Sequence, residues 1–242
     1  MLTCGRRGLR KLTGSTTTAA VLEALVIFIG ILGALFADSW WEQRETLSRE
    51  VGYLEDLAAD FAENRARLNE QIMVSDSIVE AALILLAFES TASARLVGTD
   101  SLNSLLQAIH HLPTFEPVNK TYDNILGAGD LLTLRDRELR AALANFQARL
   151  VLMNVVQETQ ERQYVSLFQP YLIEHLDYLA IATLNSDVSL PAARDSESIY
   201  GVVGSREFRN WIFARLDWAD DLRNQHEGVR GQVDEVLQVL AG

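Results

Sequence analysis

Apolar positions in this chain follow two patterns. The first is an unbroken run: Ala19 to Ala37 reads AAVLEALVIFIGILGALFA, with Glu23 its one charge. At about 1.5 Å per residue such a helix spans roughly 28 Å, close to the hydrocarbon thickness of a bilayer, so the run predicts a transmembrane helix. The second pattern is helical periodicity. Leu47, Val51, Leu54, Ala58, Phe61, Leu68 and Ile72 recur at alternating four- and three-residue steps broken only at Arg65, a heptad seam with acids and arginines between its members. No Gly or Pro occurs between Tyr53 and Val97. Helix is therefore expected from about Trp40 to about Arg95, either straight or folded back at Ser75-Asp76-Ser77.

Punctuation residues divide the rest. Gly98-Thr99-Asp100 reads as a stop followed by an N-cap, opening a short helix to about His111. Pro113 and Pro117 make the next stretch a loop, and Thr121 to Leu126 a short helical piece closed by Gly127 and Gly129. Asp136 reads as the N-cap of a long helix with Leu139, Leu143, Phe146, Leu150 and Met153 on one face. Pro170 should kink or restart that helix, and a further piece follows from Tyr171 to about Leu184. Residues 185–204 form the longest loop. Ser205 caps a final helix with Phe208, Trp211, Trp218, Leu222, Val229, Val233, Val236 and Leu240 inward. The expected fold is all-α: one N-terminal transmembrane helix, then an extracytoplasmic helical bundle with coiled-coil-like long helices. Its parts are a basic cytoplasmic tail (1–18), the span (19–37) and an acidic helical domain (38–242).

The flanks orient the span. Arg6, Arg7, Arg10 and Lys11 precede it and place the N-terminus in the cytoplasm, while Trp40 and Trp41 suit the far interface. A cleaved signal peptide is the competing reading, but cleavage after Ala37 or Ala34 would put Leu35 or Leu32 where a small residue is wanted. Arg6-Arg7 loosely resembles a twin-arginine export signal; the plainer reading is a basic cluster that sets orientation. Glu23 can reach the headgroup region or sit neutral in a helix pair. Gly30 with Ala34, and Gly33 with Ala37, are small residues at four-residue spacing, which allows close approach between membrane helices.

Composition narrows the function classes. The net charge is −12; residues 1–37 carry +3, leaving −15 on the remainder. Such a body offers no basic stripe for nucleic acid. The single Cys4 excludes an internal disulfide and a Cys-based zinc site. None of His110, His111, His175 and His226 has Glu three residues before it, and no Gly-x-Ser-x-Gly occurs. Gly127-Ala128-Gly129-Asp130 lacks the lysine of a phosphate loop. Asp56, Asp60 and Glu63 share a helical face, read here as its solvated side, and Trp211 and Trp218 are read as core. No catalytic residue, metal ligand or cofactor is expected.

The run from Leu22 to Leu35 followed by Trp40-Trp41-Glu42-Gln43-Arg44 resembles a family of bacterial single-pass membrane proteins, frequent in Bacteroidetes, that carry a domain of unknown function. Their N-termini read roughly I-G-E-I-x-L-V-x-x-G-I-L-I-A-L-x-x-N-x-W-N-E-x-R, and Glu23, Gly30, Ala34, Trp40, Glu42 and Arg44 fall in that register. A second stretch is similar to the family's mid-chain T-Y-x-x-L…G-x-L…I-K-D-x-E-L: Thr121-Tyr122, then Gly129-Asp130-Leu131, then Leu134-Arg135-Asp136-Arg137-Glu138-Leu139. Asp38-Ser39 and several arginines depart from the family's usual Asn and Lys. The resemblance implies a membrane-anchored helical domain and supplies no activity. The expectation is thus a non-enzymatic interaction or scaffold module in the inner membrane. Its partners would be the bilayer and a second copy, or another membrane or periplasmic protein. The alternative is a ligand-sensing bundle that signals through a partner protein.

Overall fold

In the computed structural model, which describes residues 13–181, 195 and 197–242, the secondary structure is all helix, with no strand among the described residues. It divides into two compact units, residues 1–52 and 53–242. Helix α1 (Thr13–Leu86) contributes to both. In the first unit it carries the apolar run. In the second it is one of three long helices, with α5 (Arg137–Gln163) and α9 (Arg206–Ala241). Between them lie α2 (Thr91–Arg95), α3 (Thr99–His110), α4 (Lys120–Ala128), α6 (Gln169–His175), α7 (Tyr178–Ile181) and α8 (Ile199–Val202).

Within the second unit the three long helices share two apolar cores. One gathers Leu57, Phe61 and Leu68 of α1, Leu139 to Met153 of α5, and Val229, Val233 and Val236 of α9. The other gathers Ile78 to Leu85 of α1, Phe168, Tyr171 and Leu172 beyond α5, and Phe208, Ile212 and Ala219 of α9. The order in which each helix visits the cores makes α5 run parallel to α1 and α9 antiparallel to both. Each keeps a seven-residue register. On α9 the buried positions are Phe208, Ile212, Arg215, Ala219, Leu222, His226, Val229, Val233 and Val236, without a break in the four–three alternation. The five inward residues expected on α5 are all buried.

The α1 seam differs from its expected line. Leu57, Asn64 and Ser75 lie deep in the protein with Phe61, Leu68 and Ile72, whereas Ala58 is half-buried and Arg65 points out to Asp234 at 3.0 Å. Leu54 is half-buried, and Leu47 and Val51 are exposed. No turn forms at Ser75-Asp76-Ser77; the helix is straight through it and stops at Leu86, earlier than the expected Arg95. Neither Gly nor Pro ends it. Arg209 of α9 donates to the carbonyls of Leu86 (2.8 Å) and Phe88 (3.2 Å), satisfying the open end and favouring a cation at the negative pole of the helix. Ser90 and Ser93 then form a capping box that starts α2.

Other boundaries moved for local reasons. Gly98, expected as the stop before the cap, is itself the N-cap of α3, at φ +88°, where a side chain would be strained. Gly129 closes α4 in the left-handed conformation, and the next amide, of Asp130, bonds back to Ile125 O at 2.9 Å. Asp136 and Ser205 cap α5 and α9 as expected. Pro170 restarts the helix, as expected: α5 gives way to a π turn, Tyr164–Phe168, and the proline stands in the first turn of α6, where its missing N–H costs nothing. The piece expected over 171–184 is broken at Leu176, whose backbone is extended. Most of the loop expected at 185–204 lies outside the described residues.

Phe61 and Phe146, with ring centroids 4.8 Å apart, join α1 to α5 in the first core. Truncating the fully buried Phe146 to Ala should cost about 3–5 kcal/mol in denaturant unfolding. Phe213→Ala, at an exposed position of α9, should stay within about 0.5 kcal/mol. Equal losses at both would mean that the packing described here is not the native one.

Candidate functional site

Two features stand apart from ordinary core packing. The first is the apolar run. The large apolar side chains from Val21 to Phe36 are between 49% and 75% exposed, and nothing beyond the helix itself shields them among the described residues. Gly30 and Gly33 have open space where a Cβ would stand, and Ala34 and Ala37 are equally bare. One long apolar helix near the N-terminus is therefore a candidate single membrane span. Beyond it the Arg44 guanidinium lies 4.9 Å from the centre of the Trp40 ring, a cation–π contact. Trp41 is exposed. The expected basic flank, Arg6, Arg7, Arg10 and Lys11, lies outside the described residues.

The second feature is a strap. After α3 the chain runs through residues 111–119 outside any helix or strand, and between its two ends, residues 112–118 take part in no helical or strand hydrogen bond. A buried peptide group without a partner costs about 1–3 kcal/mol, so side chains must take the place of a ladder. They come from all three long helices. Asn64 of α1 bonds both ways with Val118, accepting its N–H at 2.7 Å and donating to its carbonyl at 2.9 Å. Gln71 of α1 accepts from Thr114 N–H at 3.1 Å, and Gln157 of α5 from Phe115 N–H at 2.9 Å. Arg215 of α9 donates to Ile109 O at 3.0 Å and to His111 O, closing the end of α3. These polar residues sit at or beside seam positions that would otherwise be apolar.

Asp60 belongs to the same set and corrects the reading of Asp56, Asp60 and Glu63 as one solvated face. Asp56 and Glu63 are exposed, but Asp60 is 2% exposed. It accepts from Thr121 N–H at 3.0 Å and pairs with Lys120 at 3.2 Å. Asn119, at the N-cap of α4, makes no side-chain capping bond, and Asp60 supplies the missing negative charge from a distant helix. Burial alone would raise its pKa. The Thr121 and Lys120 contacts outweigh that and hold the carboxyl below the usual range.

His226 is a polar residue set into the apolar seam of α9. It is fully buried, its two ring nitrogens make no hydrogen bond, and the Phe115 ring stands edge-on at 6.4 Å. Loss of water pushes its pKa down to about 4, with no charged group contributing. A second histidine, His110, is held between Tyr164 and Tyr178, whose hydroxyls meet its two ring nitrogens. Burial lowers its pKa, helped by His111 and Arg215, and burial raises that of Tyr164. This cluster ties α3 and α7 to the π turn. Among the described residues no three His, Cys, Asp or Glu side chains gather as a metal site would require.

Trp211 and Trp218, expected as core, are half-buried, with Ile212 and Ala219 deeper. Arg215 and His226 were missed, although their place in the α9 register was readable: both fall on the four–three alternation of apolar residues. Compared with known proteins, the chain matches no protein-family model, no curated protein and no solved structure.

The histidine gives a pH test. Its folded pKa lies below the unfolded value near 6.5, so its contribution is intact above about pH 6.5 and is lost as pH falls toward 4, by about 3 kcal/mol in total. His226→Leu should flatten the stability profile in that window and leave stability at pH 7.5 equal or higher. An unchanged slope between pH 6.5 and 4 would refute the assignment. Asn64→Leu removes both bonds to Val118 and should cost about 2–4 kcal/mol at all these pH values, read by urea unfolding.

Proposed function

We propose that this protein is a membrane-anchored helical interaction or scaffold module that performs no catalysis and associates with copies of itself. The observation that carries the reading is the unshielded apolar surface of Val21–Phe36, on a helix that continues without a break into a packed helical unit. In water, that much apolar surface on every side of one helix would be strongly unfavourable; in lipid it is the surface a span requires. The proposed orientation has Arg6, Arg7, Arg10 and Lys11 in the cytoplasm and Trp40 and Trp41 at the outer interface of the inner membrane. The acidic remainder then forms an extracytoplasmic bundle, where a charge of −15 keeps it off anionic headgroups. Gly30, Gly33, Ala34 and Ala37 would line the contact between membrane helices, and Leu47 and Val51 would prolong it outside.

Support for a binding rather than a catalytic role comes from how the polar interior is used. Asp60, Asn64, Gln71, Gln157 and Arg215 each spend their hydrogen bonds on backbone groups of the strap or its flanks. None is left facing an open cleft with a free lone pair or proton.

Membrane fractionation tests the anchor. The full chain should stay in the pellet after carbonate washing and dissolve only in detergent. Ile27→Lys combined with Ile31→Lys, which places two charges mid-span, should move most of it to the soluble fraction. Protease added to intact spheroplasts should digest residues beyond Trp41. Recovery of the unaltered chain in the carbonate supernatant would defeat the anchor, and protection in spheroplasts would defeat the orientation.

A further inference from the structure

Helix α5 has a second apolar line, on the side away from the cores. Ala141, Ala144, Ala148, Val151 and Val155 follow at steps of three, four, three and four residues, with Leu152 beside them, and all are exposed. Val151, Leu152 and Val155 are 64%, 58% and 61% exposed, unusual for three large apolar residues within five positions of one helix. The line is also uncharged. No Asp or Glu occurs between Glu138 and Glu158, in a chain that has 33 of them. The two arginines in that stretch turn inward. Arg140 donates to Leu134 O, and the Arg149 guanidinium lies across α9 at Gly228, where a Cβ would strike it.

We propose that this α5 face is where a second copy of the chain docks, each line packing on its twin. This pairing rests on the self-association proposed above and gives it a location. Charge selects the occupant. Charge is confined to the two ends of the line, at Arg137 and at Glu158 and Arg162, so its middle has little to draw an anionic bilayer or an acidic partner. Two bodies that each carry −15 repel least where acids are absent, and a twofold pairing brings those two regions together. Area selects the same arrangement. Six side chains of these sizes cover roughly half of the ~800 Å² per partner that a standard stable interface buries. Such a face is too small to hold two free proteins together. It suffices when both chains are confined to one membrane, which raises their effective concentration to the millimolar range. The result is an interface that closes in the membrane and opens when the protein is diluted out of it.

Single-cysteine crosslinking of the full chain in its native membrane, in a Cys4→Ser background, tests the location. Val151→Cys or Leu152→Cys should yield disulfide-linked dimer at least tenfold above Asp221→Cys, an exposed position on α9. Equal yields would overturn the proposal. Dimer captured at Leu47→Cys but not at residue 151 would also overturn it while leaving self-association standing. No dimer at any of the four positions would remove both. Crosslinking of residue 151 to a different protein alone would mean that the face serves another partner and not a second copy. Val151→Glu supplies an independent check, because an exposed residue can change without loss of core packing. Its melting curve should match wild type while residue 152 loses its crosslink at least tenfold, and retention of that crosslink would count against the pairing.

Discussion

A stretch of extended backbone laid against three helices must find partners for its amides and carbonyls, and that requirement shapes the second unit. Residues 111–119 return the chain from the core that holds α3 to the core that receives α4. A helix would satisfy itself along such a path. An extended strap cannot, and Pro113 and Pro117 forbid the helix. Asn64, Gln71 and Gln157 therefore interrupt otherwise apolar seams, and Asp60 and Arg215 hold the helix ends on either side. Polar seam residues of this kind fix register: a seven-residue slip of α1 would bring Gln71 toward the place of Asn64, and the bidentate bond to Val118 would be lost. The strap thus selects one alignment of three helices whose apolar positions alone would tolerate several.

The same logic governs helix ends. Arg209 closes α1, Arg215 closes α3 and Asp60 opens α4, each from another element. Arginine suits the first two positions because its planar fork can reach two carbonyls at once and stays charged even when buried. Arg215 shows the cost of that placement. Burial draws its pKa down to about 10, still far above neutrality, and the contact of its guanidinium with the Tyr164 ring at 5.6 Å offsets part of the lost hydration.

Local signals were legible where the physics is local. Asp136, Ser205 and Gly129 announced their caps, and the face of α5 was readable from Leu139 to Met153 because one period runs through it. What escaped sequence reading was tertiary. The open end at Leu86 is closed by Arg209, more than a hundred residues away, whereas the Ser90–Ser93 capping box just beyond it is a local signal. Asp60 looked like one acid among several on a wet face, because its partner Thr121 becomes a neighbour only after folding. The α1 seam was drawn through Ala58 and Arg65 since large apolar residues stand on both sides. The true line passes through Asn64, and an asparagine gives no sign in isolation that it will be buried. Arg215 and His226 could have been suspected from the α9 register. Their roles could not, since those are set by the strap and the end of α3.

The arginines of α9 also impose an order in time. During synthesis α1 and α3 emerge from the ribosome long before residues 206–241, yet both lack their closing partners until that helix arrives. Each apolar core also takes one of its three walls from α9. Nascent chains that have not reached Arg206 leave each core without one wall and α1 and α3 without their closing arginines. Completion of both cores therefore waits on the last helix to be made.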